Sequence, residues 1–309
     1  MRILLTNLSN KYFSESRQML NESALRFGAD EILSYDFGEI TNSEFYIDNE
    51  EILDCPKGLG YWLWKPYIIL EAMKNLVEGD IVIYSDCGIE IIESLEPLIN
   101  ISKTKESILL FGNGDFSNAL WTKRDCFIFM DCDNEQFWYS PHCDAAFSIF
   151  RKCELSIKFL TDWLNFGRDD RILTDVPNKC GLPNLPEFIE HRRDQSILSL
   201  LAQKYNLNLY RMPTQFGNHY KAPEFRVEKE YNCVNQLNQN PVNHYSVIPY
   251  YNSNYGQLLN HHREKSFQET AELENTSDET EKPASSKGNQ KTHAIKILAG
   301  KISDKLKRF

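Results

Sequence analysis

The feature that most constrains the fold is a helical pattern that leads directly into a short apolar run, within residues 58–90. Apolar side chains recur on one helical stripe in residues 68–77, Pro66 suits the first helical position, and Gly79 suits the stop. The run IVIY at 81–84 is uninterrupted and rich in β-branched residues, which is typical of a buried strand. A helix that leads into a buried strand in this way indicates an α/β protein.

The amino-terminal residues extend this pattern. Residues 2–6 predict a strand, residues 17–27 predict a helix, and residues 31–35 predict a second strand. Strand, helix and strand at this spacing form a βαβ unit, so we predict a Rossmann-like, mixed and mainly parallel sheet flanked by helices. The polar residues 7–14 follow the first strand and are predicted to form a loop on the ligand side of the sheet.

A single aspartate, Asp86, follows the central strand within the sequence SDCG. Open α/β sheets bind ligands just outside the carboxyl ends of their strands, so Asp86 is a candidate binding residue. The alternative is a turn that merely closes the strand, because Asp and Gly are both favoured in turns.

A second informative stretch, EHRRDQSILSLLAQKY at 190–205, predicts a leucine-rich helix with Asp194 at its N-cap. Capping alone explains an aspartate at this position. However, a histidine, two arginines and a glutamine crowd the same helix start, and such a site suits an anion. Both interpretations of Asp194 stay open at this point.

Between these two stretches we predict a short helix in 89–101, a strand in 107–111, and a loop that leads into a strand in 137–150. His142 and Asp144 lie at the mouth of that last strand. Polar side chains in such a position are candidates for ligand contact.

Two further segments carry basic side chains that suit a phosphate. In WTKRD at 121–125, two adjacent bases lie beside an aromatic ring, although an exposed helix start explains them equally well. Residues 168–186 are polar and too long for a plain connector, so we predict a substrate-facing loop from which Arg168 or Arg171 reaches a phosphate.

Composition excludes several classes of function. The 309 residues, of which 41% are hydrophobic, suffice for one large domain or two small ones. We recognise no signal peptide and no apolar run near the ~20 residues that span a bilayer. Eight cysteines without a CxxC pair predict reduced thiols in a cytosolic protein. The formal net charge of −10 argues against a nucleic-acid partner.

The carboxyl-terminal residues differ from the body, which we place at 1–265. Residues 266–292 are polar and lack the apolar side chains needed to fold alone, so they predict a flexible linker. Residues 293–309 place apolar side chains on one helical face and lysines mostly elsewhere. This pattern predicts a basic amphipathic helix on an anionic membrane surface, and docking on the chain's own domain or on a partner is the alternative.

Four ordered blocks carry a family resemblance: GYWLWKP at 60–66, GDIVIYSDCG at 79–88, WTKRD at 121–125 and HRRDQSILSLL at 191–201. Over residues 1–263 they resemble bacterial glycosyltransferases with a GT-A-type fold, which build capsules, lipopolysaccharide and related surface glycans. The resemblance implies a GT-A-like domain that moves a sugar from a nucleotide-sugar donor to a glycan or lipid-linked acceptor. Together with the reduced thiols and the basic pattern of residues 293–309, it leads us to expect a cytoplasmic protein held peripherally at the inner face of the membrane.

The resemblance further implies a divalent cation. In the family a DxD motif holds Mn²⁺ or Mg²⁺ against the donor diphosphate, and Asp86 matches its first aspartate. This chain departs from the motif at the second position, which is Gly88. We therefore expect shared duty: Asp86 binds either the ion, with His262 as an extra ligand, or the donor ribose, and basic side chains neutralise the phosphates with or without a metal.

Sugar transfer needs a base for the acceptor hydroxyl and positive groups for the leaving phosphates. The catalytic candidates are Asp194, as the base of an inverting enzyme, and Gln195, which with Asp194 would lie beneath the sugar in a retaining enzyme. The donor and phosphate candidates are Asp86, Lys65, Arg124 and Arg193. The acceptor and sugar candidates are Trp62, Trp64, His142, Asp144 and His191, with core packing as the alternative for the two tryptophans.

Two other functions compete with this interpretation. A metal-dependent nucleotidyl- or phosphotransferase would need a second acidic ligand near Asp86 and usually a glycine-rich phosphate loop, and we find no convincing run of that kind. A catalytically inactive sugar- or membrane-binding protein is the third hypothesis, because Gly88 replaces the second aspartate of the motif.

Overall fold

The computed structural model describes residues 1–217, 250 and 252–262. The predicted linker at 266–292 and the predicted amphipathic helix at 293–309 lie outside the described residues. Within the described part of the chain, no helix has both the length and the hydropathy to cross a bilayer.

The secondary structure alternates between strands and helices. The strands are β1 Ile3–Ser9, β2 Glu31–Asp36, β3 Ile81–Ser85, β4 Ile89–Ile91, β5 Ile108–Ser117, β6 Pro141–Arg151, β7 Leu209–Arg211 and β8 Leu259–His261. The longer helices are α1 Ser14–Phe27, α6 Trp64–Lys74, α7 Glu96–Thr104, α11 Glu154–Gly167 and α13 Asp194–Lys204. Short helical turns are α2 Phe37–Thr41, α3 Glu44–Ile47, α4 Glu50–Leu53, α5 Gly58–Tyr61, α8 Asn118–Trp121, α9 Arg124–Phe129, α10 Glu135–Trp138 and α12 Asp170–Leu173.

The main sheet has six strands in the order β2-β1-β3-β6-β5-β7. β1 pairs in parallel with β2 and β3, and β5 pairs in parallel with β7. β6 runs antiparallel to both of its neighbours, β3 and β5. The predicted fold class, a Rossmann-like α/β arrangement with a mixed, mainly parallel sheet flanked by helices, is confirmed. The amino-terminal βαβ unit is confirmed as well.

The sheet separates two apolar layers, which explains why β3 is apolar on both faces. Val82 and Tyr84 contribute to one core cluster, which also contains the apolar faces of α6, α11 and α13. Ile81 and Ile83 contribute to the other cluster, with α1 and α7. Because successive strand side chains point to opposite faces, a strand covered on both sides must be continuously hydrophobic.

One prediction about local structure was wrong. A single helix in 89–101 was expected, but the residues after Gly88 form the strand β4, and the helix α7 begins only at Glu96. β4 pairs antiparallel with β8, far along the chain, and no local pattern reveals such a partner. The polar residues 42–58 contain the short helices α3 and α4.

Candidate active site

A cavity of about 560 Å³ opens at the carboxyl ends of β1 and β3. Its wall contains the end of β1, the segment that joins α5 to α6, the turn after β3, the first half of β6, and the start of α13. Asp86 and Asp194, which lie more than a hundred residues apart in the sequence, both line it. The structure therefore brings together the two aspartates that the sequence singled out.

Asp86 is held by the two strands beside it. Its backbone N–H donates to the carbonyl of Ala146 in β6 at 2.7 Å. The Tyr84 hydroxyl at the end of β3 donates to its Oδ1 atom at 2.5 Å. Burial, followed by the charge of Asp86, raises the pKa of Tyr84 well above its usual range, so this hydroxyl remains a donor. The carboxylate of Asp86 is thus oriented while about a third of its side chain stays exposed.

Lys65, from the first turn of α6, is buried between the two aspartates. Its Nζ atom lies 3.2 Å from Oδ1 of Asp86 and 3.3 Å from Oδ2 of Asp194, and it donates to the carbonyl of Ala145 at 3.2 Å. Burial opposes the charge of this ammonium, but the carboxylates of Asp194 and Asp86 outweigh it and raise the pKa of Lys65. Lys65 is therefore an ammonium ion at neutral pH.

Asp194 is the first residue of α13, and Arg193 occupies the N-cap position that the sequence assigned to Asp194. The Asp194 side chain faces the cavity, while its carbonyl accepts from Nε1 of Trp163 in α11 at 3.1 Å. Burial raises the pKa of Asp194 to about 6, against the opposing effect of Lys65. A carboxylate whose pKa lies this close to neutrality is suited to accept a proton.

Arg193 has a strained backbone and a well-paired side chain. Its φ and ψ are 55° and −117°, a conformation that is rare for a residue with a Cβ. Its guanidinium lies 3.1 Å from Asp175 and 3.2 Å from Glu190. It also lies 6.0 Å from the ring centre of Trp62. These contacts hold a buried arginine at the rim of the cavity.

The aromatic segment beside the cavity also has an unusual backbone. Leu59, Tyr61 and Trp62 all have positive φ angles. Trp62 is partly exposed and lines the cavity, as predicted for a sugar contact. Trp64 lines it as well, but it is 95% buried in the core, with Nε1 bonded to the carbonyl of Gly58 at 3.0 Å. Core packing thus accounts for Trp64.

Asp144 and Gln195 also lie in the cavity wall. Asp144, in β6, accepts the backbone N–H of Ala146 at Oδ1 with a distance of 2.7 Å. Gln195 donates from Nε2 to the carbonyl of Cys143 at 2.6 Å. Both side chains are anchored by β6, so the first half of this strand and the start of α13 form one continuous surface.

Three sequence candidates lie outside the cavity wall. His142 is fully buried, with Nδ1 2.8 Å from Oδ1 of Asn118, and burial holds its pKa well below the usual value. His191 is buried against the carbonyl of Ile172 at 2.8 Å, and burial lowers its pKa to about 3. Arg124 pairs with Asp133 at 2.9 Å. None of these three side chains lines the cavity that holds Asp86 and Asp194.

Two arginines of the predicted substrate loop also lie elsewhere. Arg171 pairs with Asp169 and packs over Phe129 at 3.9 Å. Arg168 borders a different hollow, of about 610 Å³, beside α3 and α6. Neither arginine reaches the cavity that holds Asp86 and Asp194.

The cavity wall includes residues that we did not select from the sequence. Arg192 lines the wall, and its guanidinium stacks over Trp121 at 4.4 Å. His261 and Phe13 line it too. Arg192 belongs to the basic cluster before α13, so the motif contained a signal for it. His261 reaches the site through the pairing of β8 with β4, which the sequence does not reveal.

The residues around Asp86 do not fit a resident metal ion. Oδ1 of Asp86 already receives the Tyr84 hydroxyl and lies against the Lys65 ammonium, and Gly88 supplies no side chain. His262 does pass close by, since its backbone N–H donates to the carbonyl of Gly88 at 2.9 Å. Among residues 1–217, 250 and 252–262, no three His, Cys, Asp or Glu side chains form a potential metal-binding group. The expectation of a DxD-type metal site is not supported by this set of donors.

Comparison with known proteins gives structural similarity only. No family model and no curated protein matches the chain. Mouse xyloside xylosyltransferase 1 in its apo form matches with a TM-score of 0.45 and 10% identity, over 85% of this chain and 98% of that one. The galactosyltransferase LgtC, in complex with donor and acceptor sugar analogues, matches with a TM-score of 0.40 and 12% identity, over 91% and 97%. The bifunctional glycosyltransferase WbbM matches with a TM-score of 0.41 and 10% identity, over 69% and 39%. Similarity at this level carries no argument about activity, which rests on the site itself.

Proposed function

We propose that this protein is a glycosyltransferase that moves a sugar from a nucleotide-sugar donor to a hydroxyl group of an acceptor. The observation that carries the proposal is that Asp86 and Asp194 line one cavity of about 560 Å³ and are bridged by the ammonium of Lys65. The position of Asp86, beyond the carboxyl end of a buried central strand, is where α/β sheets bind nucleotides. The volume falls within the range of small-molecule binding pockets.

Asp86 and Asp194 have different roles in the proposed reaction. Asp194 accepts the proton of the acceptor hydroxyl, whose oxygen then forms a bond to the anomeric carbon of the donor sugar. The bond between that carbon and the diphosphate breaks, and its electron pair leaves with the diphosphate. Asp86 binds the donor and does not take part in the proton transfer. This division predicts an inverting transferase, with Asp194 as the general base.

The negative charge that grows on the leaving diphosphate needs a positive partner. We assign this role to Arg192, which lines the cavity beside the start of α13, because the guanidinium of Arg193 is engaged by Asp175 and Glu190. A guanidinium suits a diphosphate because it can make two parallel hydrogen bonds. The amino end of α13 adds a favourable dipole at the same place. No step of this mechanism requires a metal ion.

We propose a glycan or lipid-linked acceptor, on the pathway of bacterial surface polysaccharides. The support is the resemblance of four sequence blocks to enzymes of capsule and lipopolysaccharide synthesis. We propose that residues 293–309 hold the enzyme at the inner surface of the cytoplasmic membrane, because their basic and apolar side chains separate on a helical projection. Trp62 is the proposed sugar-stacking residue of the cavity, given its partial exposure and its place in the wall.

A donor screen tests this function. Purified protein is incubated with UDP-, GDP- and CMP-sugars, with EDTA in one arm and MnCl₂ in another, and binding and hydrolysis are measured. We expect one donor to bind and turn over in both arms, and Asp86→Ala to abolish its binding. Activity that EDTA removes and Mn²⁺ restores would contradict the metal-free mechanism. Transfer of the nucleotide rather than the sugar would contradict the assigned reaction, and binding without turnover on any acceptor would indicate an inactive binding protein.

A further inference from the structure

We infer that Lys65 is a positioning residue, whose enclosed ammonium fixes the spacing of Asp86 and Asp194, and that it does not contact the donor phosphates. This inference rests on the proposed function, because it assigns Lys65 a role in the reaction of the same cavity. It also departs from the sequence analysis, which grouped Lys65 with the phosphate ligands.

The contacts of the ammonium support this role. Lys65 donates a hydrogen bond to the carbonyl of Ala145 at 3.2 Å. Its Nζ atom also forms ion pairs with Asp86 at 3.2 Å and Asp194 at 3.3 Å. Only 3% of the residue is exposed, so a donor phosphate could reach the nitrogen only by displacing one of these three partners. A lysine that binds phosphate would instead keep donors free and directed into the cavity.

The surroundings make Lys65 the dominant charged partner of Asp194. Within residues 1–217 and 252–262, the titratable side chains that act most strongly on Asp194 are Lys65 from α6 and Asp86 directly after β3, and Tyr84 from β3 also interacts with it. α11 contributes the indole of Trp163, which does not titrate and bonds only the backbone carbonyl. The Arg193 side chain points to Asp175 and Glu190 instead. Lys65 is thus the cation that offsets both burial and the repulsion from Asp86.

The charge of Lys65 beside Asp194 should affect the pH dependence of catalysis. In the native protein Asp194 loses its proton near pH 6. If Lys65 is replaced by a neutral side chain, burial and Asp86 act on Asp194 without opposition, and its proton is held to higher pH. A phosphate ligand would behave differently, because its loss weakens donor binding without moving the titration of Asp194.

The test compares Lys65→Met with Lys74→Met, which removes an exposed lysine from the far end of the same helix. Sugar-transfer rate is measured against pH for full-length protein, and affinity for the nucleoside diphosphate of the active donor is measured by calorimetry. We expect the acid-side midpoint of kcat to rise by at least about one pH unit in Lys65→Met, with the affinity changed less than about threefold. Lys74→Met should match the native profile. A loss of affinity of about tenfold or more with an unmoved midpoint would overturn the inference.

Two further measurements keep the test decisive. If Lys65→Met does not fold, Lys65→Arg retains the cation but changes its shape, so kcat should fall about tenfold or more while the midpoint stays near pH 6. An unchanged kcat in Lys65→Arg would then contradict a positioning role. If no donor is turned over at all, the proposed function has failed. The effect of Lys65 on the protonation of Asp194 is then measured from the pH dependence of the free energy of unfolding. The change in slope that is due to Asp194 should lie at higher pH in Lys65→Met than in the native protein. An unchanged pH would refute the effect itself.

Discussion

At the scale of single residues, the central feature is a buried carboxylate that remains titratable near neutral pH. Asp194 lies at the amino end of a helix and beside an ammonium, and both favour its ionised form. Burial favours its neutral form and prevails, because the pKa rises to about 6. Such a balance is costly for stability and is typical of a functional site.

The raised pKa of Asp194 predicts a particular dependence of stability on pH. Since the folded protein binds this proton more tightly than the unfolded chain, Asp194 favours folding below its ordinary pKa of 3.8, and this contribution is lost as pH rises through about 6. The free energy of unfolding of the native protein, relative to that of Asp194→Asn, should therefore fall by about 2 kcal/mol between pH 4 and pH 7. Denaturant titrations at several pH values measure it.

The exposed Asp48 provides the control for this experiment. Asp48→Asn should leave the difference from the native protein nearly constant over the same range, because exposed carboxylates interact weakly. A difference between the native protein and Asp194→Asn that is flat, or that grows with pH, would contradict the burial argument.

At the scale of secondary-structure elements, local sequence patterns correctly predicted those strands and helices whose formation depends on residues close together in the sequence. The apolar run of β3, the helix α6 with its apolar stripe, and the leucine-rich α13 all follow from the spacing of hydrophobic residues. β4 was mistaken for part of a helix because its partner β8 is remote in the sequence. Pairings of this kind depend on tertiary structure, which a single sequence does not display.

The same distinction between local sequence patterns and long-range contacts applies to the residues of the candidate active site. Asp86 and Asp194 could be predicted because each lies at the end of a strongly patterned element. His142 and His191 lie buried outside the cavity wall, and a polar side chain in sequence gives no sign of whether it is buried and bonded to neighbours. The triple contact of Lys65 could not be foreseen either, since its partners come from three separate segments.

The segment before α6 gives a prediction at this scale. Gly58 has a φ of +59°, and a Cβ there would lie 2.5 Å from the ring of Trp62. Gly58→Ala should therefore lower the free energy of unfolding by about 2–4 kcal/mol, from the left-handed conformation together with the overlap, and should displace Trp62 from the cavity wall. Denaturant titration and donor binding measure the two effects.

A substitution at Gly79 separates the effect of the left-handed backbone conformation from the effect of the overlap with Trp62. Its φ is +89°, but a Cβ there would meet no atom within 4 Å. Gly79→Ala should lower the free energy of unfolding by only about 1–2 kcal/mol, because only the backbone conformation is unfavourable, and should leave donor binding unchanged. Equal losses of stability in the two variants would show that Trp62 does not pack against Gly58 as described.

At the scale of the whole molecule, a neutral cavity is set in an acidic chain. Three aspartates in the cavity wall face Lys65 and two arginines, whereas the whole chain carries a formal net charge of −10. A donor with a negative diphosphate is therefore recognised by local pairing rather than by long-range attraction. Binding should consequently depend only weakly on ionic strength.

The proposed membrane attachment is tested by truncation. A chain that ends at Lys265 lacks the basic residues of 293–309 and should no longer sediment with vesicles rich in anionic lipid at low salt. Its activity on a soluble acceptor should match that of the full chain, because the cavity lies within residues 1–262. Full-length protein that ignores such vesicles would contradict the proposal.

The central claim is that Asp86 and Asp194 act on one donor in one cavity, and single-turnover transfer with the identified donor tests it most directly. Asp86→Asn should weaken donor binding about tenfold or more, whereas Asp194→Asn should bind the donor within about threefold of the native affinity and transfer its sugar about 10²–10⁴-fold more slowly. A native rate of transfer in Asp194→Asn, or native donor binding in Asp86→Asn, would contradict the account.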